Sequence, residues 1–293
     1  VKSDTGLNKI MREMVELFAS PNVSDIYPIL SGLDLQGLSK KSNKCVKIIH
    51  SAWEGIIRDR RAKKSFQDSN KDFLDVLLHN NFSDDQINCL FLELFTGGSD
   101  TSSSTIEWAM TELIKKPKCL EKIRQELERE ISENIIKEPD LSRLSYLHAC
   151  VKETLRLHSP TPLLLPRRAI ETCQVMNYTI PEDTQVVVNV WAIARDPNVW
   201  EDPLTFNPER FLHSELDFKG NDFELLPFGA GRRICPGMNM GIRQVLLILA
   251  SLIHHFEWFL PDNMLPQQLD MSEKFGVTLK KEKPLVIILK RRN

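Results

Sequence analysis

Phe228-Gly229-Ala230-Gly231-Arg232-Arg233-Ile234-Cys235-Pro236-Gly237 decides the reading of this chain. Gly229 and Gly231 permit a tight loop through backbone regions that side chains forbid. Cys235 stands directly ahead of the apolar run Gly237 to His254, which reads as a buried helix. There the helix dipole and its free N–H groups favour thiolate over thiol, the form in which cysteine binds a metal. Arg233 adds positive charge that suits an anionic group on a cofactor. A cysteine taken alone is ordinarily a small buried hydrophobe, so the composite pattern carries the argument.

Three other stretches gain meaning beside this loop. Glu153-Thr154-Leu155-Arg156 puts a carboxylate and a guanidinium on one helix face at i and i+3. Exposed pairs of this kind are common and worth little, but Leu147, Val151 and Leu155 predict that this helix is largely buried. Gly97-Gly98-Ser99-Asp100-Thr101 interrupts a long helical pattern, and two mid-helix glycines cost about 1 kcal/mol each relative to alanine. Close helix packing is the plain explanation for such a pair. Arg167 follows the apolar stretch from Pro160 to Pro166, where an ordinary surface arginine is the alternative reading.

Taken together, these stretches resemble the cytochrome P-450 family. The cysteine loop matches the family pattern FxxGxRxCxG at every fixed place, through Phe228, Gly231, Arg233, Cys235 and Gly237. The resemblance implies haem b (iron protoporphyrin IX), with Cys235 as the axial iron ligand and Phe228 beside it. Gly229 belongs to the same cofactor loop. It also implies that Glu153 and Arg156 form a structural ionic cluster with Arg210 of Pro208-Glu209-Arg210-Phe211, the family's PERF segment. Gly97 and Gly98 would open an oxygen groove, with Asp100 and Thr101 as the acid–alcohol pair that relays protons. Gly97 stands where alanine is commoner. Arg167 would bind a haem propionate, with Arg168 the runner-up. Thr161, Leu163 and Leu165 would line a substrate cavity, with Phe275 and Val277 on a second wall; for both stretches plain core is the alternative.

The implied activity is insertion of one oxygen atom of O2 into a small lipophilic substrate. Electrons would come from an NADPH-dependent flavoprotein reductase. The segments 22–28, 100–108 and 271–277 resemble the plant microsomal branch, especially geraniol 8-hydroxylase-like monoterpenoid hydroxylases, which makes a terpenoid alcohol a candidate substrate. The rival readings are a thiolate-haem isomerase or dehydratase, and a truncated haem-binding remnant without activity. The expected location is the cytosolic face of the endoplasmic reticulum membrane. The family's N-terminal anchor, first strands and a propionate-gripping helix find no match here, roughly two-fifths of a usual family chain.

Composition sets the outer bounds. The chain has 293 residues, 42% hydrophobic and 27% charged, which is ordinary for a globular protein. A formal net charge of −2 gives no electrostatic case for a nucleic-acid partner. The six cysteines form no CxxC pair and no disulfide framework, and the seven histidines show no metal-ligand spacing. No apolar run reaches the roughly 18 residues needed to span a bilayer.

No linker or repeat divides the chain, so 1–293 reads as a single domain, mainly α with a minor β component. Helices are expected at Leu7 to Ala19, Ser39 to Lys63, Ser83 to Lys116, Cys119 to Ile131, Tyr146 to His158 and Gly237 to His254. Ser83 and Gln86 form a capping box ahead of the third of these. Gln174 to Ile180 and Gln185 to Val190 are expected as strands around the turn from Pro181 to Thr184. A strand pair interrupted near Pro284 is expected between Gly276 and Leu289.

Overall fold

A computed structural model describes residues 6–30, 32–62, 72–133, 135–274 and 276–292. The architecture is mainly helical with a small β content, as the sequence predicts. The chain resolves into two compact units, Val1–Asp100 and Thr101–Asn293.

The first unit holds α1 (Leu7–Ala19), α2 (Val23–Ile26), α3 (Leu38–Ala62), α4 (Phe73–His79) and α5 (Asp84–Lys115) as far as Asp100. Lys63, the expected end of α3, lies outside the described residues. α5 starts where its capping box dictates: Gln86 N–H donates to Ser83 Oγ at 3.3 Å, and Ser83 N–H donates to Gln86 Oε1 at 2.9 Å. The core of this unit is Ile49, Trp53 and Ile57 from α3, Leu74, Leu77 and Leu78 from α4, and Ile87. Each such side chain contributes about 1.5–3 kcal/mol by leaving water. The basic cluster of α3 is an ion-paired helix end, since Arg60 reaches Asp72 and Asp75 and Arg61 reaches Asp84.

The second unit carries the rest of α5, then α6 (Pro117–Glu130) and α7 (Ser145–Leu157). Ile123 and Leu127 of α6 pack in one core with Leu147, Val151 and Leu155 of α7. Leu144, at the N-cap of α7, has no side chain able to accept from the free amides. Buried Glu126 does so from α6, accepting from Tyr146 N–H at 2.7 Å and Leu147 N–H at 3.0 Å.

The strands are short and locally paired. They are β1 (Arg167–Arg168), β2 (Cys173–Val175), β3 (Tyr178–Ile180) and β4 (Gln185–Val186), followed by α8 (Val190–Ile193). The expected strand from Gln174 to Ile180 is itself a hairpin, with Cys173 opposite Ile180 and Val175 opposite Tyr178. Its tight turn has Met176 at φ 55°, a conformation for which methionine offers no sequence cue. The turn from Pro181 to Thr184 leads from β3 into β4, which pairs back with β1, Arg167 lying opposite Val186. β4 stops early because Asn189 caps α8, accepting from Ala192 N–H at 3.0 Å.

α9 (Met238–His255) contributes Val245, Leu246, Leu249 and Ile253 to the core, ahead of β5 (Phe256–Phe259), β6 (Glu273–Lys274), β7 (Lys280–Lys281) and β8 (Ile288–Arg291). The two tail strands do not pair with each other as expected. β7 pairs with β6 and β8 with β5, so each finds its partner earlier in the chain. Among the described residues, no helix is long and apolar enough to cross a membrane.

Candidate functional site

The cysteine loop is built on backbone hydrogen bonds. Gly229 N–H donates to Leu226 O at 3.0 Å, Ile234 N–H to Gly231 O at 3.1 Å, and Cys235 N–H to Phe228 O at 2.9 Å. Gly229 and Gly231 take φ of 70° and 67°, the left-handed region that favours glycine. The loop therefore closes on Phe228, whose ring packs edge-on against Phe218 at 5.5 Å. Cys235 is exposed, unlike Cys45, Cys119 and Cys150, which are buried. Gly237 caps α9, and a Cβ there would stand 3.9 Å from Cys235 Sγ. Glycine at 237 thus keeps one side of the sulfur clear.

The structure brings further expected residues to this loop. Arg167, on β1, donates from Nη2 to Arg233 O at 3.3 Å. Arg168 turns elsewhere and pairs with Asp183 at 2.8 Å on the surface. A Cβ on Gly229 would lie 3.4 Å from Leu164 Cδ1, so the segment from Thr161 to Leu165 runs alongside the loop. Within that segment Thr161 and Leu163 are half-buried and Leu165 is exposed. The second expected wall adjoins the same segment, because Leu279 N–H donates to Pro160 O at 2.8 Å. Val277 is half-buried there, while Phe275 lies outside the described residues.

Glu153, Arg156 and Arg210 meet in a closed ionic cluster. Arg156 grips Glu153 with two bonds, Nε to Oε2 at 2.7 Å and Nη2 to Oε1 at 2.9 Å. Arg210 Nε donates to Glu153 Oε1 at 3.1 Å, and Asn207 N–H to the same oxygen at 2.8 Å. The remaining Arg156 donors reach Ala194 O at 2.5 Å, Pro203 O at 2.8 Å and Thr205 O at 3.4 Å. Glu153 and Arg156 are fully buried, and both guanidinium groups lie over the Trp200 ring, at 5.2 and 5.8 Å.

On α5, Gly97, Gly98 and Asp100 belong to the first unit and Thr101 opens the second. A Cβ at Gly97 or Gly98 would meet nothing within 4 Å among the described residues.

Sequence reasoning passed over Gly220. It has φ 83°, and a Cβ there would fall 3.0 Å from Ala230 Cα and 3.1 Å from Gly229 O. Only glycine lets this strand of backbone press against the cysteine loop, and the available signal was the turn-like Lys219-Gly220-Asn221-Asp222. Trp200 and Glu126 were passed over too, since each acts on residues distant in the chain.

The cytochrome P-450 family model matches residues 2–288. The chain belongs to the cytochrome P-450 family. It is 52% identical over 286 residues to a probable (S)-N-methylcoclaurine 3'-hydroxylase isozyme 2 of Coptis japonica, which covers 98% of this chain and 58% of that protein. It is 52% identical over 281 residues to (S)-N-methylcoclaurine 3'-hydroxylase isozyme 1 of Eschscholzia californica, at 95% and 58% coverage. A zebra fish cytochrome P-450 solved with progesterone superimposes with a TM-score of 0.80 at 26% identity, covering 97% of this chain and 64% of that one. This cytochrome P-450 chain thus spans about 58% of the length of these plant relatives. Family membership implies a haem-thiolate cofactor, and an exposed sulfur on a glycine loop, with Arg167 and Arg233 beside it, fits such a group. Both plant hydroxylases are named for (S)-N-methylcoclaurine, not for a terpenoid alcohol.

Proposed function

We propose that this chain is the cysteine-loop portion of a haem-thiolate monooxygenase that hydroxylates an alkaloid of the N-methylcoclaurine kind. The observation that carries this reading is the complete cysteine loop, with Cys235 tied through its N–H to Phe228 O and its side chain exposed. When bound as haem b, the group supplies the redox chemistry that activates O2.

This chain's own residues orient it and manage protons. Cys235 Sγ would hold the iron, and Phe228 would shield the sulfur. Arg167 and Arg233, held near each other by the bond from Arg167 Nη2 to Arg233 O, would offset the negative propionates. Gly97 and Gly98 would leave room beside Asp100 and Thr101, which would hold and move protons there. Thr161, Leu163, Leu165 and Val277 bound the substrate, and Phe275 is assigned the same role from sequence. Glu153, Arg156 and Arg210 hold the scaffold behind the loop.

An NADPH-dependent flavoprotein reductase supplies the electrons, and the whole protein resides at the endoplasmic reticulum membrane. The test is Cys235→Ser in the full-length protein. The reduced, carbon monoxide-bound haem should lose its thiolate-type absorption and hydroxylation of (S)-N-methylcoclaurine should stop. An unchanged thiolate spectrum would assign the iron to another ligand and end this reading.

A further inference from the structure

His158 sits at the C-terminal end of α7, two residues after Arg156, and is 5% exposed. Its ring lies flat on Trp108 of α5, with centroids 3.9 Å apart and an interplanar angle of 3°. Nε2 donates to Glu112 Oε1, also on α5, at 2.8 Å. Nδ1 is buried without a hydrogen bond and faces Glu273 Oε1 of β6 at 3.6 Å. That is ion-pair range but too long for a hydrogen bond.

Glu273 is itself shared. It accepts from Arg195 Nη2 at 3.0 Å and from Trp191 Nε1 at 3.0 Å. Burial alone would raise its carboxyl, but His158, Trp191 and Arg195 together hold it below the usual range. Its other side lines a cavity of about 330 Å³ with Pro162, Leu163, Asn189, Trp191 and Leu279. Just past His158, Pro160 O accepts from Leu279 N–H at 2.8 Å, and Leu279 O accepts from Ser104 Oγ of α5 at 2.6 Å.

We propose that His158 is a positioning residue: it sets where the segments 159–165 and 276–279 stand relative to α5, and so determines which part of a substrate is presented for reaction. The inference rests on the substrate-wall reading of those two segments. A buried carboxylate, a half-buried one and a buried imidazole are a costly way to fill this place, and an apolar set of equal volume is often as stable. What the polar set adds is direction, because Glu112, His158 and Glu273 meet at fixed angles while apolar contacts slide. The slack lies in one place, the 3.6 Å gap between Nδ1 and Glu273. A shift of Glu273 that changes this gap also moves a wall of the cavity.

The test uses His158→Gln and the milder Glu273→Gln, which keeps an acceptor for Trp191 and Arg195. In the haem-loaded full-length protein, haem content and the carbon monoxide spectrum should match the parent. The Kd for (S)-N-methylcoclaurine, read from the substrate-induced spectral shift, should change by about fivefold, and the ratio of hydroxylated products should change with it. In the 293-residue chain by itself, amide exchange should quicken in 159–165 and 276–279 together while α7 stays protected. An unchanged Kd and product ratio, or product loss that only follows haem loss, overturns the proposal. A parent protein without a thiolate-type spectrum would refute the haem reading alone. The exchange measurement then decides for His158, and parental exchange rates in both segments overturn it.

Discussion

The ionic cluster and the cysteine loop lie in the same unit and follow opposite designs. Around Glu153 both arginines, four backbone carbonyls and a backbone amide close on one another. Around Cys235 the backbone is just as constrained, with Gly229 and Gly231 at positive φ, but the side chain is exposed. The cluster is a lock whose value is internal. The loop is a mount whose value depends on what it holds. Mutations should therefore separate them, with stability responding at the first and ligand chemistry at the second.

The largest separation is expected at Glu153→Gln. Volume is kept, but Arg156 remains buried with its counter-charge gone, and such a broken pair costs about 3–5 kcal/mol. Urea unfolding of the chain measures it, and a loss under about 1 kcal/mol would show that the carbonyl ring alone satisfies Arg156. Next come two glycines of the mount. Gly220→Ala combines a left-handed φ with backbone atoms at 3.0 and 3.1 Å, and should cost about 3 kcal/mol. Gly231→Ala has a similar φ of 67° but open space, so strain alone remains, about 1 kcal/mol. Equal losses at the two positions would mean that crowding against Ala230 is relieved by movement.

A smaller effect comes from pH. Burial pushes the His148 imidazole below its ordinary value near 6.5, with Nε2 donating to Leu141 O at 3.1 Å only partly opposing this. The unfolded chain then binds the proton more readily than the folded one. Stability should fall as pH drops below about 6.5, and continue to fall until the folded-state value is passed. His148→Gln should flatten the thermal-melt profile across that window; an unchanged slope would place the acid sensitivity in another group. The smallest expected stability change is at Cys235→Ser, within about 0.5 kcal/mol because the side chain is exposed. A larger loss would show that the sulfur packs as part of the fold and would blur the contrast drawn here.

Helix positions were legible because the cues are local. Leu7–Ala19 shows a strong apolar period, and Ser83 with Gln86 marks the start of α5 within one residue. The cysteine loop was legible for a related reason, since its glycines, arginine and cysteine lie within ten consecutive positions. Strand pairing was not. Two- to four-residue strands carry almost no periodic signal, and their partners lie anywhere from three residues away at the β2–β3 turn to 29 or more for β5 and β8.

By itself, then, the sequence determined the helical frame, the loop that presents Cys235, and the residue types of the ionic cluster. Tertiary structure alone decided that Glu126 caps α7 from another helix, and that Gly220 lies against Ala230. It also decided that His158 stands between Glu112 and Glu273. The physical reason is range. Backbone propensity and side-chain period act over a few residues, whereas hydrogen bonds and close contacts act over a few ångströms, whatever the separation along the chain.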